Sequence, residues 1–459
     1  MPRKPPSSGR GRTPNRRDER PGDAPRTTGA KPRGKPGAKP GPTPGGKPAR
    51  PTGAKPGAKP SAKPGAKPSA KPAPKPTVKA APLVDVEVAC LPGLVEVLQA
   101  EVRARLGEGG ALDAAPPKRR GPVGREDALA LSVTEHGRAA LHELRTAVAV
   151  ERVRRFAVPR PKALLGDAVL RELQGELQAV VAAATAARAP FTALRLEAAG
   201  RESPVMRRLA EALAAGVGLP EDPNDGDLRV RVRPDDGGWA VLVRTTRRPL
   251  SARGWRVCDR PGGLNASLAA AVPWLARPGR GVHALNAFAG SGTLAIELAL
   301  ADPDARVDGV DLDPEAVACA ERNASAAGVE GRVRFAVGDA TALGAADASV
   351  RLLLADPPWG DAVGAHVANR ALYPAFLAEA ARVVAPGGRF ALVTHEVALV
   401  HELLAGDAGA AWRPVHERRV WHGGHHPLLL VVERVPGGGG EGRRRSGGGR
   451  EPRSERVLT

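Results

Sequence analysis

Cysteine is nearly absent from this sequence: Cys90, Cys258 and Cys319 are the only three in 459 residues, far apart and without paired spacing. That scarcity argues against a disulfide framework or a zinc cluster and favours a reducing cytoplasm. No uninterrupted apolar stretch reaches the roughly 20 residues that span a bilayer, and the basic N-terminus lacks the apolar segment of a signal peptide. Membrane proteins and disulfide-stapled secreted domains are therefore not expected. Acidic residues are scarce only locally. Residues 1–80 carry 21 Lys/Arg against 3 Asp/Glu, leaving 48 against 46 for the rest, so the net charge of +20 is a property of one end. Aromatic rings are few as well, with a single tyrosine, which makes the tryptophan in "LLLADPPWG" conspicuous.

What is present divides along the chain. Residues 1–82, with "GAKPGAKPSAKPGAKPSAKP", have nothing apolar to bury and read as a disordered cationic arm, either solubilising or loosely attracted to RNA. Residues 436–459 read as a shorter tail of the same kind. From Leu83, "LVDVEVACLPGLVEVLQAEVRARL" predicts strand, turn and helix, and mixed strands and helices follow to residue 250. These include a long helix over about 162–187, a helix capped by Ser203 with Pro204 in its first turn, and a hairpin of "DLRVRVRP" with "GWAVLVRTT". This front half, 83–250, predicts α+β layers. Residues 251–280 read as a linker. From Gly281 to 435 strands and helices alternate regularly, which predicts an α/β, doubly wound parallel sheet.

Three strand ends in that last region carry chemistry. "NAFAGSGTLAIEL" sets Gly290, Ser291 and Gly292 between a strand and a helix, where backbone N–H groups can approach a ligand and the helix N-terminus is electropositive. Asp311, in "VDGVDLDP", ends the next strand and can accept both hydroxyls of a ribose. Asp339, in "AVGDATAL", ends the third and can accept from an adenine amino group. Singly these are ordinary caps and turns, and a nicotinamide enzyme would share the first two. Together they match the rule that open sheets bind ligands at the carboxyl ends of their strands.

The fourth strand end is Asp356, Pro357, Pro358 and Trp359. Here the chain resembles the class I S-adenosylmethionine-dependent methyltransferases whose motif at this point is Asp/Asn-Pro-Pro-aromatic and which methylate exocyclic base amines. The resemblance implies a Rossmann-like domain and a cofactor site of Asn286, Phe288, Gly290, Ser291, Gly292, Thr293, Asp311 and Asp339. Asn286 departs from the pattern, standing where the family usually has an acid. A base amine is a poor nucleophile because its lone pair is delocalised. If the Asp356 carboxylate and the Pro357 carbonyl each accept one N–H, the lone pair is aimed at the methyl carbon. The two prolines stiffen the loop, and Trp359 is expected to stack on the target base.

The loop alone leaves adenine N6, cytosine N4 and guanine N2 open. "ACLPGLVEVLQAEV", "VPRPKALLGD" and "RRPLSARGWRVCDRPGGLNASLAAAV" are similar to the front half of THUMP-domain RNA methyltransferases, over most of 85–435. That resemblance implies a ferredoxin-like unit and THUMP domain gripping tRNA, with N2-methylguanosine formed in the acceptor stem at position six or seven. Ribosomal RNA, adenine N6, or a tRNA-binding protein with a decayed transferase domain are the alternatives. Candidate RNA contacts are Arg201, Arg207 and Arg208, and a run with Arg244, Arg247, Arg248, Arg253 and Arg256; each could equally form a solvated face. "WHGGHHPL", with His422, His425 and His426, reads as a hairpin turn rather than a metal site. Tyr373 is expected to pack in a helix.

Overall fold

The computed structural model describes residues 82–107, 118–120, 127–359 and 365–436. Residues 1–81 and 437–459 of the two expected tails, and residues 360–364, lie outside them. The described residues form one compact unit built on two seven-stranded sheets.

The front sheet runs β2-β3-β1-β4-β7-β6-β5. Its strands are β1 (Leu83–Cys90), β2 (Lys118–Arg120), β3 (Ala128–Thr134), β4 (Ala147–Phe156), β5 (Leu194–Ala198), β6 (Leu228–Asp235) and β7 (Gly238–Arg244). Helices α1 (Val95–Leu106), α2 (Glu135–Ala140), α3 (Asp167–Ala186) and α4 (Pro204–Val217) accompany them. Apolar residues recur with period two along β6, so Leu228, Val230 and Val232 face the core while Arg229, Arg231 and Arg233 take the other face. Helix α4 starts as expected, with Ser203 Oγ accepting from the Met206 N–H and Pro204 at the first turn. Helix α3 begins only at Asp167, because Gly166 is extended and Pro161–Leu165 forms a separate 3-10 turn.

The expected linker is not one. It contains α5 (Ala266–Ala276), capped by Asn265 and buried along nearly its whole length in a core that runs from β1 to the back sheet. Glu297, fully buried, accepts from Arg145 at 2.7 Å and Arg253 at 2.8 Å, and Ser267 Oγ donates to the Ala147 carbonyl at 2.9 Å. These bonds tie front and back together. An apolar helix without charge reads as a loop only if its flanking Pro and Gly are weighed above its composition.

The back sheet runs β10-β9-β8-β11-β12-β14-β13. It comprises β8 (His283–Ala287), β9 (Arg306–Asp311), β10 (Val333–Val337), β11 (Val350–Ala355), β12 (Val384–Thr394), β13 (Trp412–Arg419) and β14 (Leu428–Arg434). Strands β8 to β12 pair in parallel through α6 (Thr293–Ala301), α7 (Pro314–Ala326) and α8 (Ala365–Val383); α9 (Val397–Ala405) leads to the antiparallel β13–β14 hairpin. The order reverses beside β8, so the carboxyl ends of β8 and β11 flank the crevice where such sheets bind ligands. Near this hairpin His422 and His425 exchange both backbone hydrogen bonds around Gly423 and Gly424, a turn with all three histidines exposed. Among the described residues no helix is long and apolar enough to cross a membrane.

The cysteine expectation also needs correcting. Cys258 and Cys319 form a disulfide with Cα atoms 5.5 Å apart, across a separation of 61 residues, while Cys90 is free and buried. A pairing between a loop and a helix brought together only by the fold leaves no signature in spacing.

Candidate active site

A cavity of about 340 Å³ opens at the carboxyl ends of β8, β9, β10 and β11. Its wall contains Phe288, Gly290, Ser291, Thr293, Asp311, Asp339 and Asp356 together, so the geometry unites residues spread over nearly seventy positions.

The glycine loop makes the floor. Gly290 adopts φ +54° with open space where a Cβ would project, and Gly292 adopts φ +82° where a Cβ would meet the Phe335 ring at 2.7 Å. The first glycine keeps the cavity clear, and the second lets α7 and β10 close against the loop. Gly292 itself is not in the wall, so its part is packing rather than contact. Phe288 is forced to φ +52°, a conformation costly for a bulky residue, with its ring edge-on to Phe376 at 4.9 Å. Asp311 fastens this loop: one carboxylate oxygen accepts the Gly290 N–H at 2.7 Å and the other the Asp313 N–H at 3.0 Å. Each oxygen retains a lone pair for a ligand hydroxyl. Asp339 is exposed, and the Thr341 N–H and hydroxyl, both 2.8 Å from one oxygen, hold its carboxyl below the usual range. Its second oxygen is left for another donor.

Asn286 departs from expectation. It is fully buried beneath the cavity, donating to the Ala287 carbonyl at 2.9 Å and, across to β11, to the Leu354 carbonyl at 3.3 Å. It ties two strands and is absent from the wall. Turning the amide over would face its oxygen with two carbonyls, so Oδ1 is left without a donor among the described residues.

The fourth side is the DPPW loop. Asp356 and Pro358 reach the cavity; Pro357, though buried, and Trp359 do not. Asp356 keeps slight solvent exposure, yet the protein around it withdraws enough water that burial pushes its carboxyl up to about 7, against the opposing hydrogen bond from Trp359. That bond runs from Trp359 Nε1–H to Asp356 Oδ1 at 2.9 Å. The Trp359 ring lies on the His395 imidazole, centroids 3.9 Å apart and 11° from parallel. One of the two ring faces is therefore covered by a side chain of this protein. Asn369 is buried and donates to the Pro358 carbonyl at 3.1 Å and to Glu396 at 2.8 Å; Tyr373 packs in α8 with its hydroxyl on Thr394 at 2.6 Å.

Sequence reasoning missed the front wall. Arg260 to Leu264 close the cavity opposite Asp356. Arg260 pairs with Asp313, and Arg256 bridges the Leu264 carbonyl at 2.7 Å and the Thr293 hydroxyl at 2.8 Å. Asn323, buried in α7, accepts from the Val257 and Cys258 amides and donates to the Cys258 and Ser291 carbonyls. Pro-Gly-Gly followed by an Asn cap, "PGGLN", was the available signal.

The arginines divide. Arg207 and Arg208 stand exposed on α4, Arg248 is exposed, and Arg201 and Arg247, also exposed, pair with Glu202 and Asp227. Arg253 is turned inward to Glu297 and to the Leu250 and Arg145 carbonyls, and Arg244 is buried against the Thr246, Asp227 and Arg247 carbonyls. Neither presents its guanidinium to a partner, because each satisfies carbonyls that the fold would otherwise leave unpaired.

Comparison with known proteins agrees with this architecture. The family described as "RMKL-like, methyltransferase domain" matches residues 253–427. A tRNA (guanine(6)-N2)-methyltransferase of Thermus thermophilus is 34% identical over 352 residues, covering 74% of this chain and 97% of that protein. One of Archaeoglobus fulgidus is 28% identical over 236 residues, covering 46% and 58%. The crystal structure of TrmN from Thermus thermophilus superposes with a TM-score of 0.59 at 29% identity, covering 77% of this chain and all of that one. The chain belongs to the tRNA guanine-N2 methyltransferase family, class I enzymes whose methyl donor is S-adenosylmethionine.

Proposed function

We propose that this protein methylates N2 of the guanosine at position six in the acceptor stem of tRNA, in the cytoplasm, with the front sheet serving as the THUMP-type region that grips the RNA. Three relatives carry that position in their names. The observation that bears most weight is the meeting of Asp311, Asp339 and Asp356 on one cavity.

The donor set fits the cofactor. Asp311 is placed for ribose hydroxyls, Asp339 for the adenine amino group, and Leu264, Val310 and Leu312 offer apolar walls to the ring. Bound there, S-adenosylmethionine supplies a methyl carbon on a positive sulfur. The rest falls to this chain. Asp356, as carboxylate, accepts one N–H of the guanine amine and holds the lone pair toward the methyl carbon, while Pro357, which does not reach the cavity, stiffens the loop. As nitrogen would gain the methyl group, with the bond from carbon to sulfur breaking to leave a neutral thioether, positive charge develops beside Asp356, in surroundings dry enough to strengthen that attraction, and the carboxylate can take up the proton the amine gives off. The test is labelled-methyl transfer to unmodified tRNA with mapping of the product. N2-methylguanosine at position six is expected; methyl on adenine, or on a stem far from the acceptor end, would refute the assignment.

A further inference from the structure

Trp359 is held in place by its neighbours. It is absent from the wall of the cavity that Asp356 and Pro358 line, and one of its faces is occupied by His395. His425 extends the cluster, 5.2 Å from the His395 ring and 6.1 Å from Trp359, and the indole also packs against the core shared by the two sheets. The backbone beside it is fastened too, since Asn369 holds the Pro358 carbonyl and Glu396, next to His395. What the indole does offer the site is its N–H, directed at Asp356.

We propose that Trp359 is a positioning residue for Asp356, its indole N–H fixing the carboxylate and His395 fixing the indole. This rests on the reading of Asp356 as the group that holds the amine. A carboxylate free to turn about its last bond presents its lone pairs in many directions. With Oδ1 held by the indole, Oδ2 has one direction left, toward the cavity. Indole nitrogen donates and cannot accept, so it neither competes for the amine's hydrogens nor removes a proton from the site. A donor on the carboxylate also favours its ionised form, the form that can accept from an amine.

Phenylalanine keeps an aromatic face and removes the donor, so Trp359→Phe separates the two roles. At saturating cofactor and tRNA, single-turnover methyl transfer by Trp359→Phe is expected to fall roughly 10- to 100-fold, the range of a lost hydrogen bond to a charged group. Affinity for tRNA should stay within about twofold. The rate should rise with pH through the Asp356 titration, and in the variant that rise should move to higher pH, recovering part of the loss in alkaline buffer. Asp311 and Asp339 share the cavity, Tyr373 and Glu396 lie near, and His395 and His425 flank the indole, but all remain in the variant. His395→Ala, which keeps the donor and frees the ring, should shift the profile the same way by less. A Trp359→Phe enzyme with full rate and unmoved profile would overturn the proposal. Asp356→Asn run in parallel separates the failures: if it is inactive while Trp359→Phe is normal, only the role of the indole falls; if it too is fully active, the reading of the site falls.

Discussion

In the front sheet Glu87 lies between Arg155 and Arg233, and Glu151 between Arg229 and Arg231, each carboxylate almost wholly removed from solvent. At the carboxyl ends of the back sheet Asp311, Asp339 and Asp356 share one cavity, and among the described residues none of them is in an ion pair. On the proposed function, the contrast follows from what each place does. A buried carboxylate that serves structure needs partners on every side, since an unmatched charge in low dielectric costs several kcal/mol. A carboxylate that serves a ligand must keep lone pairs open, and the fold tolerates it by holding it with neutral N–H groups: Gly290 and Asp313 for Asp311, Thr341 for Asp339, Trp359 for Asp356.

That division makes opposite demands of mutations in the two regions. Glu151→Ala should cost about 3–5 kcal/mol of stability by taking the paired carboxylate from Arg231 and the nearer of two from Arg229, lowering the melting temperature while methyl transfer per folded molecule stays near normal. Asp356→Ala should do the reverse, leaving the melt nearly unchanged and cutting the single-turnover rate roughly 100-fold or more, the scale of deleting one oriented polar group. Asp311→Ala should weaken cofactor binding by calorimetry, by about 1.5–3 kcal/mol for a charged hydrogen-bond acceptor, with a smaller loss of stability because it also releases the Gly290 amide. Smallest of all, Arg207→Ala with Arg208→Ala should flatten the salt dependence of tRNA affinity by a slope of about 1 to 2 if both meet phosphates; an unchanged slope would leave them as a solvated face.

The back sheet was legible in the sequence because each element announces itself locally: alternating apolar runs, Gly-rich turns, acids at strand ends. That Gly290, Asp311, Asp339 and Asp356 meet at one cavity could be read from position alone, since topology forces successive strand ends to one edge. What escaped depended on residues distant in sequence. Arg253 looks like its neighbours until Glu297 of α6 claims it. Asn286 looks like a ligand contact until the Leu354 carbonyl of β11 is placed beside it. Trp359 reads as an open stacking face because His395 and His425 reach it only through the end of β12 and the turn before β14. The segment 251–264 reads as loop, and is loop, but Asn323 and Arg256 hold it against the glycine turn as a wall.

The most direct trial of the account is single-turnover transfer of labelled methyl to unmodified tRNA by the natural protein and Asp356→Asn, side by side, with cofactor affinity measured for both. The account predicts one N2-methylguanosine per tRNA, matched cofactor affinities and a rate lower by two orders of magnitude or more in the variant. Equal rates would contradict it.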